Sequence, residues 1–102
     1  MVDKDVRQLR KMQGQVALYK AQQIPIKALA DNLEFLLSHV EGAPQSWRQE
    51  MLSKLGVLED TYAVALDKTG GAFSSADNDR VASAIGRIVE LIDSQLEQAP
   101  PD

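Results

Sequence analysis

An all-α fold, an up-and-down antiparallel four-helix bundle, is what this chain predicts, on three observations. Four segments repeat apolar residues at a helical period, and Pro or Gly punctuates each junction between them. No segment sustains the two-residue alternation of a strand. The connections are short, which favours antiparallel neighbours.

The first helix is expected from about Asp5 to Gln22, with Asp3 or Asp5 capping its start. Val6, Leu9, Met12, Gln13, Val16 and Tyr19 share one face, while Leu18 points away from it with no sequence account. Gly14 weakens the middle by about 1 kcal/mol relative to Ala. Ile24-Pro25 breaks the pattern, because Pro disfavours the helical region for the residue before it, and Pro25 itself suits the first turn of helix two. Ile26, Leu29, Ala30, Leu33, Leu36, Leu37 and Val40 then form the cleanest stripe in the chain. Gly42 is the expected C′ residue, and Pro44 prevents continuation.

Helix three is expected from about Gln45 to Asp67. Trp47, Met51, Leu55, Leu58, Tyr62, Ala65 and Leu66 fall within an arc of roughly 100° on its wheel. Lys68-Thr69-Gly70-Gly71 ends it. Ser74 or Ser75 caps helix four, where Asp77 and Asp79 suit the positive end of the macrodipole. Its stripe is Val81, Ala84, Ile85, Ile88, Val89, Ile92 and Leu96. At 102 residues one domain is expected, over residues 1–98, with residues 99–102 a fraying tail.

An apolar fraction of 44% supplies a core, and the absence of Cys excludes disulfides and thiol chemistry. The longest apolar run is Ala63-Val64-Ala65-Leu66, far below the roughly 20 residues of a membrane helix. No signal-peptide pattern opens the chain, so a cytoplasmic protein is expected. The net charge of −4 is unevenly placed. Lys4, Arg7, Arg10, Lys11, Lys20 and Lys27 make the first 27 residues basic, and the remainder is strongly acidic. An acidic body disfavours nucleic acid, whose phosphates demand Lys and Arg, and favours a basic protein partner.

Chemistry finds little to build on. His39 is the only His. It lies roughly 120° from the helix-two stripe and reads as a surface residue, since a catalytic base must be paired and positioned. There is no His pair for zinc and no Asp-rich calcium loop. Gly70-Gly71 follows a helix and lacks the Lys-Ser/Thr of a phosphate loop. No cofactor or metal is expected, nor an enzyme. Trp47 and Tyr62 read as core. Glu59, on the flank of the stripe, reads as structural, accepting bonds from a Tyr hydroxyl, an Arg or a helix N-terminus.

Three surface features invite a functional reading. On helix four Asp79, Glu90, Asp93 and Glu97 fall within roughly 60° of one another, with Gly86 among them. On helix two Phe35 projects roughly 160° from the stripe, near Asp31 and His39. It suits either a second packing contact or an exposed aromatic anchor. Asp60 and Asp67 form the outer line of helix three. Each charge line taken singly also reads as an ordinary solvated face.

The run Ile26-Lys27-Ala28-Leu29-Ala30-Asp31-Asn32-Leu33-Glu34-Phe35-Leu36-Leu37, then Trp47, then Leu58-Glu59-Asp60-Thr61-Tyr62-Ala63-Val64-Ala65-Leu66-Asp67, resembles the small all-helical immunity proteins of bacterial contact-dependent growth inhibition and related polymorphic toxin systems. The likeness spans about Gln22 to Asp67 and is a packing signature. It implies a protein that binds one cognate toxin domain, often a nuclease. Leu33, Trp47, Leu58, Glu59, Tyr62 and Leu66 match as scaffold only, and the family offers no shared catalytic residues. The expectation is an acidic surface drawn from Asp31, Phe35, His39, Asp60, Asp67, Asp79, Glu90, Asp93 and Glu97 that docks on a basic toxin domain. The alternative is a homo-oligomeric or adaptor bundle with Phe35 and Leu18 at a self-interface.

Overall fold

The computed structural model describes residues 3–98, so the expected tail at 99–102 lies outside the described residues. Among these, four helices form: α1 (Asp3–Lys20), α2 (Ile26–Leu37), α3 (Gln45–Thr69) and α4 (Ser75–Glu97). Each packs on its two neighbours in the ring α1–α2–α3–α4–α1, with no diagonal contact among the described residues. Side-chain bonds mark the antiparallel register. Gln15 meets Asn32 at 2.8 Å, Gln13 meets Asp93 at 3.0 Å, and Trp47 Nε1 donates to the Leu91 carbonyl at 2.7 Å. The result is the expected up-and-down bundle, 47 × 27 × 19 Å.

The stripes become the core. Leu9, Met12, Leu29, Leu33, Met51, Leu55, Leu58, Ile88 and Ile92 are fully buried, each such side chain contributing about 1.5–3 kcal/mol by leaving water. Trp47 is buried as expected, and its indole N–H finds the partner that a buried Trp requires. Leu91 and Gln95 are buried on α4, whereas Val89 and Leu96 are half-buried.

One expected core position of α3 is exposed and one position outside the expected stripe is buried. Leu66 is 51% exposed, and Thr61 is buried on the same helix. The cause is helix length. Ile26 and Ala30 of α2 line one cleft with Leu58 and Tyr62, so the last two turns of α3 run past the end of α2 and Leu66 has nothing to pack on. Thr61 faces inward instead, and its hydroxyl has no hydrogen-bond partner among the described residues.

The junctions also differ from expectation in instructive ways. α1 ends two residues early in a Schellman turn: the Gln23 N–H bonds to the Leu18 carbonyl and the Gln22 N–H to that of Tyr19. Gln22 therefore holds the left-handed position, at φ 61°. Pro25 stands at the N-cap of α2 rather than inside its first turn. Gly42 is not the C′ residue of α2, which closes at Ser38 with a right-handed backbone. The Arg48 guanidinium, reaching over from α3, donates to the Leu37 and Val40 carbonyls instead. Gly42 is small for another reason: a Cβ there would stand 2.8 Å from the carboxylate of Asp5.

Asp5 is fully buried and does not cap its own helix. Its two oxygens accept the backbone N–H groups of Glu41 and Gly42, each at 2.9 Å. The α2–α3 connection is thus clasped by a carboxylate from α1 on its donor side and by Arg48 on its acceptor side. Gly70 ends α3 in the left-handed region as expected. Ser74, rather than Ser75, is the N-cap, in a reciprocal capping box with Asp77. No helix among the described residues is long and apolar enough to cross a membrane.

Candidate functional site

The side of α2 that faces α3 carries Lys27, Asp31 and Glu34, spaced three and four residues apart and so on one face. The facing flank of α3 carries Glu59, with Asp60 beside it. Packing α2 against α3 brings these into one group. Lys27 Nζ pairs with Asp31 Oδ2 at 3.0 Å, and that bond raises the Lys27 pKa. The remaining carboxylates crowd one another. The carboxyl of Glu59 is pushed above the usual carboxylate range, first by its bond to Glu34, then by partial burial and the charges of Glu34, Asp31 and Asp60. Asp31, Glu34 and Asp60 thus crowd Glu59, while Lys27 pairs with Asp31. Beneath them lies a cleft of about 320 Å³ floored by Ile26, Ala30, Leu58 and Tyr62.

This placement corrects the structural reading of Glu59. It is exposed, and its nearest influence is another carboxylate rather than a Tyr hydroxyl, an Arg or a helix N-terminus. The helix wheel places Glu59 on the α2 side of α3, but only the packed pair shows that Glu34 faces it.

The acidic line on α4 disperses. Arg87 Nη1 donates to Glu90 at 3.3 Å while its other nitrogens hold Glu50, one of them at 2.9 Å. The Glu50 carboxyl is consequently lowered, chiefly by its bond to Arg87. Asp93 is half-buried and accepts from Gln13 Nε2 of α1 at 3.0 Å. Asp79 and Glu97 are both exposed at opposite ends of α4, about 27 Å apart along the axis. Two of the four acids are therefore bonded to other side chains, Glu90 at the surface and Asp93 half-buried, and two make no side-chain bond among the described residues. Asp67 is exposed two turns beyond Asp60, past the end of α2.

Phe35 and His39 stand on the other side of α2, toward α1. Phe35 is 65% exposed, and its ring lies 4.6 Å from the imidazole of His39, tilted by 50°. His39 Nδ1 is 2.9 Å from the Phe35 carbonyl and 3.2 Å from Ser38 Oγ, so the ring is tied to its own helix end. No carboxylate orients it there among the described residues, as a catalytic base would need. The structure therefore brings Asp31 and Asp60 together and sets Phe35 beside His39. It leaves Asp67, Asp79, Glu90, Asp93 and Glu97 apart from both groups.

Chemically, the α2–α3 face attracts cationic side chains. Among the described residues no three His, Cys, Asp or Glu gather as a metal site. Comparisons with protein-family models, with curated proteins and with solved structures gave no match.

Proposed function

We propose that this chain is an immunity protein that binds and neutralises a cognate toxin domain in the bacterial cytoplasm, docking through the acidic face of α2 and α3. The crowding of Asp31, Glu34 and Asp60 around Glu59 carries this reading. Carboxylates that repel one another do nothing for the isolated fold, whereas Lys or Arg side chains of a basic partner would relieve them. Phe35, exposed on the α1 side of the same helix, offers an aromatic anchor of the kind interfaces use. The resemblance to contact-dependent growth inhibition immunity proteins points the same way, and a toxin nuclease domain would supply the basic surface.

The test is co-purification with the C-terminal domain of the protein encoded immediately upstream, in low and high salt. A complex that weakens as salt rises is expected, because screening acts on exposed charge. No complex at low salt would refute the reading. Charge reversal at Asp31 and Asp60 together is expected to slow association at least tenfold, since exposed interfacial charges act mainly on the on-rate. Reversal at Glu90 and Asp93 is the control. If that pair alone abolishes binding, the docking face is α4 instead.

A further inference from the structure

The outer face of α1 and α2 has a layered composition. Along its middle runs a groove of about 600 Å³ in which Leu18 and Phe35, respectively 41% and 65% exposed, stand among Lys11, Gln15 and Asn32, the last two bonded to each other. Gly14 adds to it, since a Cβ there would meet nothing within 4 Å. One edge of the groove is basic: Arg7, Arg10 and Lys11 on α1 are exposed and make no ion pair with any described residue. The other edge, on the side of α2 turned toward α3, is mainly acidic: Asp31 and Glu34 on α2 and Glu59 and Asp60 on α3 stand against Lys27, which pairs with Asp31.

A strip with exposed Leu18 and Phe35 at its middle and opposite charge on its two edges is complementary to itself. A two-fold axis lying in this face and parallel to the helices lays strip on strip and exchanges the edges, so each basic edge meets the partner's acidic edge. An axis across the helices would instead set basic on basic, and like charges brought together weigh against it. The register within one chain makes the pairing specific. Gln15 bonds to Asn32 and Lys4 to Glu41, which sets Lys11 near the level of Leu36. Glu34 is two residues from that level, about 3 Å along the axis, within reach of a lysine.

We propose that the α1–α2 face pairs with a second copy of this chain about a two-fold axis parallel to the helices, with Phe35 and Leu18 packed at its centre and Lys11 against Glu34 of the partner subunit. The inference stands on this face alone and does not require the toxin. The acidic edge would serve both contacts, so self-pairing and toxin binding would compete.

Sedimentation equilibrium of the full chain by itself tests the pairing, at low salt and up to roughly millimolar concentration, because a dimer's population depends on protomer concentration. A reversible monomer–dimer equilibrium that weakens with salt is expected. Phe35→Ser is expected to weaken it at least tenfold while leaving the melting temperature unchanged, since the ring is mostly exposed. Lys11→Glu and Glu34→Lys should each weaken it, and the double variant should restore it, because both contacts across the two-fold axis regain opposite charge. A monomer at every concentration overturns the proposal and assigns the patch to a different protein. Dimers indifferent to Phe35→Ser, or a double variant no better than the single ones, also overturn it.

Discussion

Glu59 shows how one residue can work against its own fold. Its pKa is raised, chiefly by the bond to Glu34, so the protonated form is favoured in the folded state relative to the unfolded chain. The contribution is therefore present below the ordinary carboxylate range and is lost as pH rises through the raised value. Glu59→Gln removes the charge that is repelled at neutral pH. It is expected to raise stability at pH 7 by about 0.5 kcal/mol, the scale of exposed charge pairs, with the gain fading toward pH 3. Urea denaturation of both proteins across that interval measures it, and a variant less stable at pH 7 would contradict the crowding. Thr61 is a second residue at odds with its surroundings, a buried hydroxyl without a partner among the described residues. Both were visible as residue types, but a helix wheel shows only which way a side chain leaves its own axis. It does not show what stands opposite.

At the scale of elements, local signals carried the helices. Pro25, Pro44, Gly70 and the Ser74–Asp77 box each act within one turn of their own position, so the junctions they govern were legible to within a few residues. The end of α2 was not, because its capping groups come from elsewhere in the chain. Arg48 supplies donors to the Leu37 and Val40 carbonyls, and Asp5 accepts from Glu41 and Gly42 across 36 and 37 residues of sequence. Asp5→Ala leaves two amide groups of that turn without their partner, and removing one side of a buried bond to a charged group costs about 2–4 kcal/mol. The expected loss appears as a lower urea midpoint with an unchanged slope. Gly42→Ala should lower the midpoint too, because its Cβ would collide with the Asp5 carboxylate.

For the whole molecule, unequal helix lengths matter most. α3 and α4 have 25 and 23 residues against 18 and 12 for α1 and α2, so their hairpin projects beyond the turn between the shorter pair. Leu66, on the flank of the α3 stripe, is exposed there because the bundle has narrowed from four helices to two. Backbone amides near residues 63–68 and 76–82 should exchange hydrogen faster than those around Leu55 and Ile88, since local opening is easiest where few apolar contacts must break. Uniform protection along α3 would contradict a two-helix projection. Charge divides at the same scale, with a basic α1 edge and a mainly acidic α2–α3 edge on either side of the strip that holds Leu18 and Phe35, and both proposed contacts draw on that division.

By itself, the sequence determined the fold class, the four helices, most of the core and the uneven charge. Each depends on spacing along one segment or on composition, and neither needs to know a neighbour. The tertiary structure decided which carboxylates meet. It tied Glu90 to Arg87 and Asp93 to Gln13, isolated Asp79 and Glu97, and gathered Asp31, Glu34, Glu59 and Asp60. The physical reason is that electrostatic grouping depends on the rotation and axial offset between packed helices. Those are set by the interdigitation of side chains far apart in sequence, which no single helical period contains.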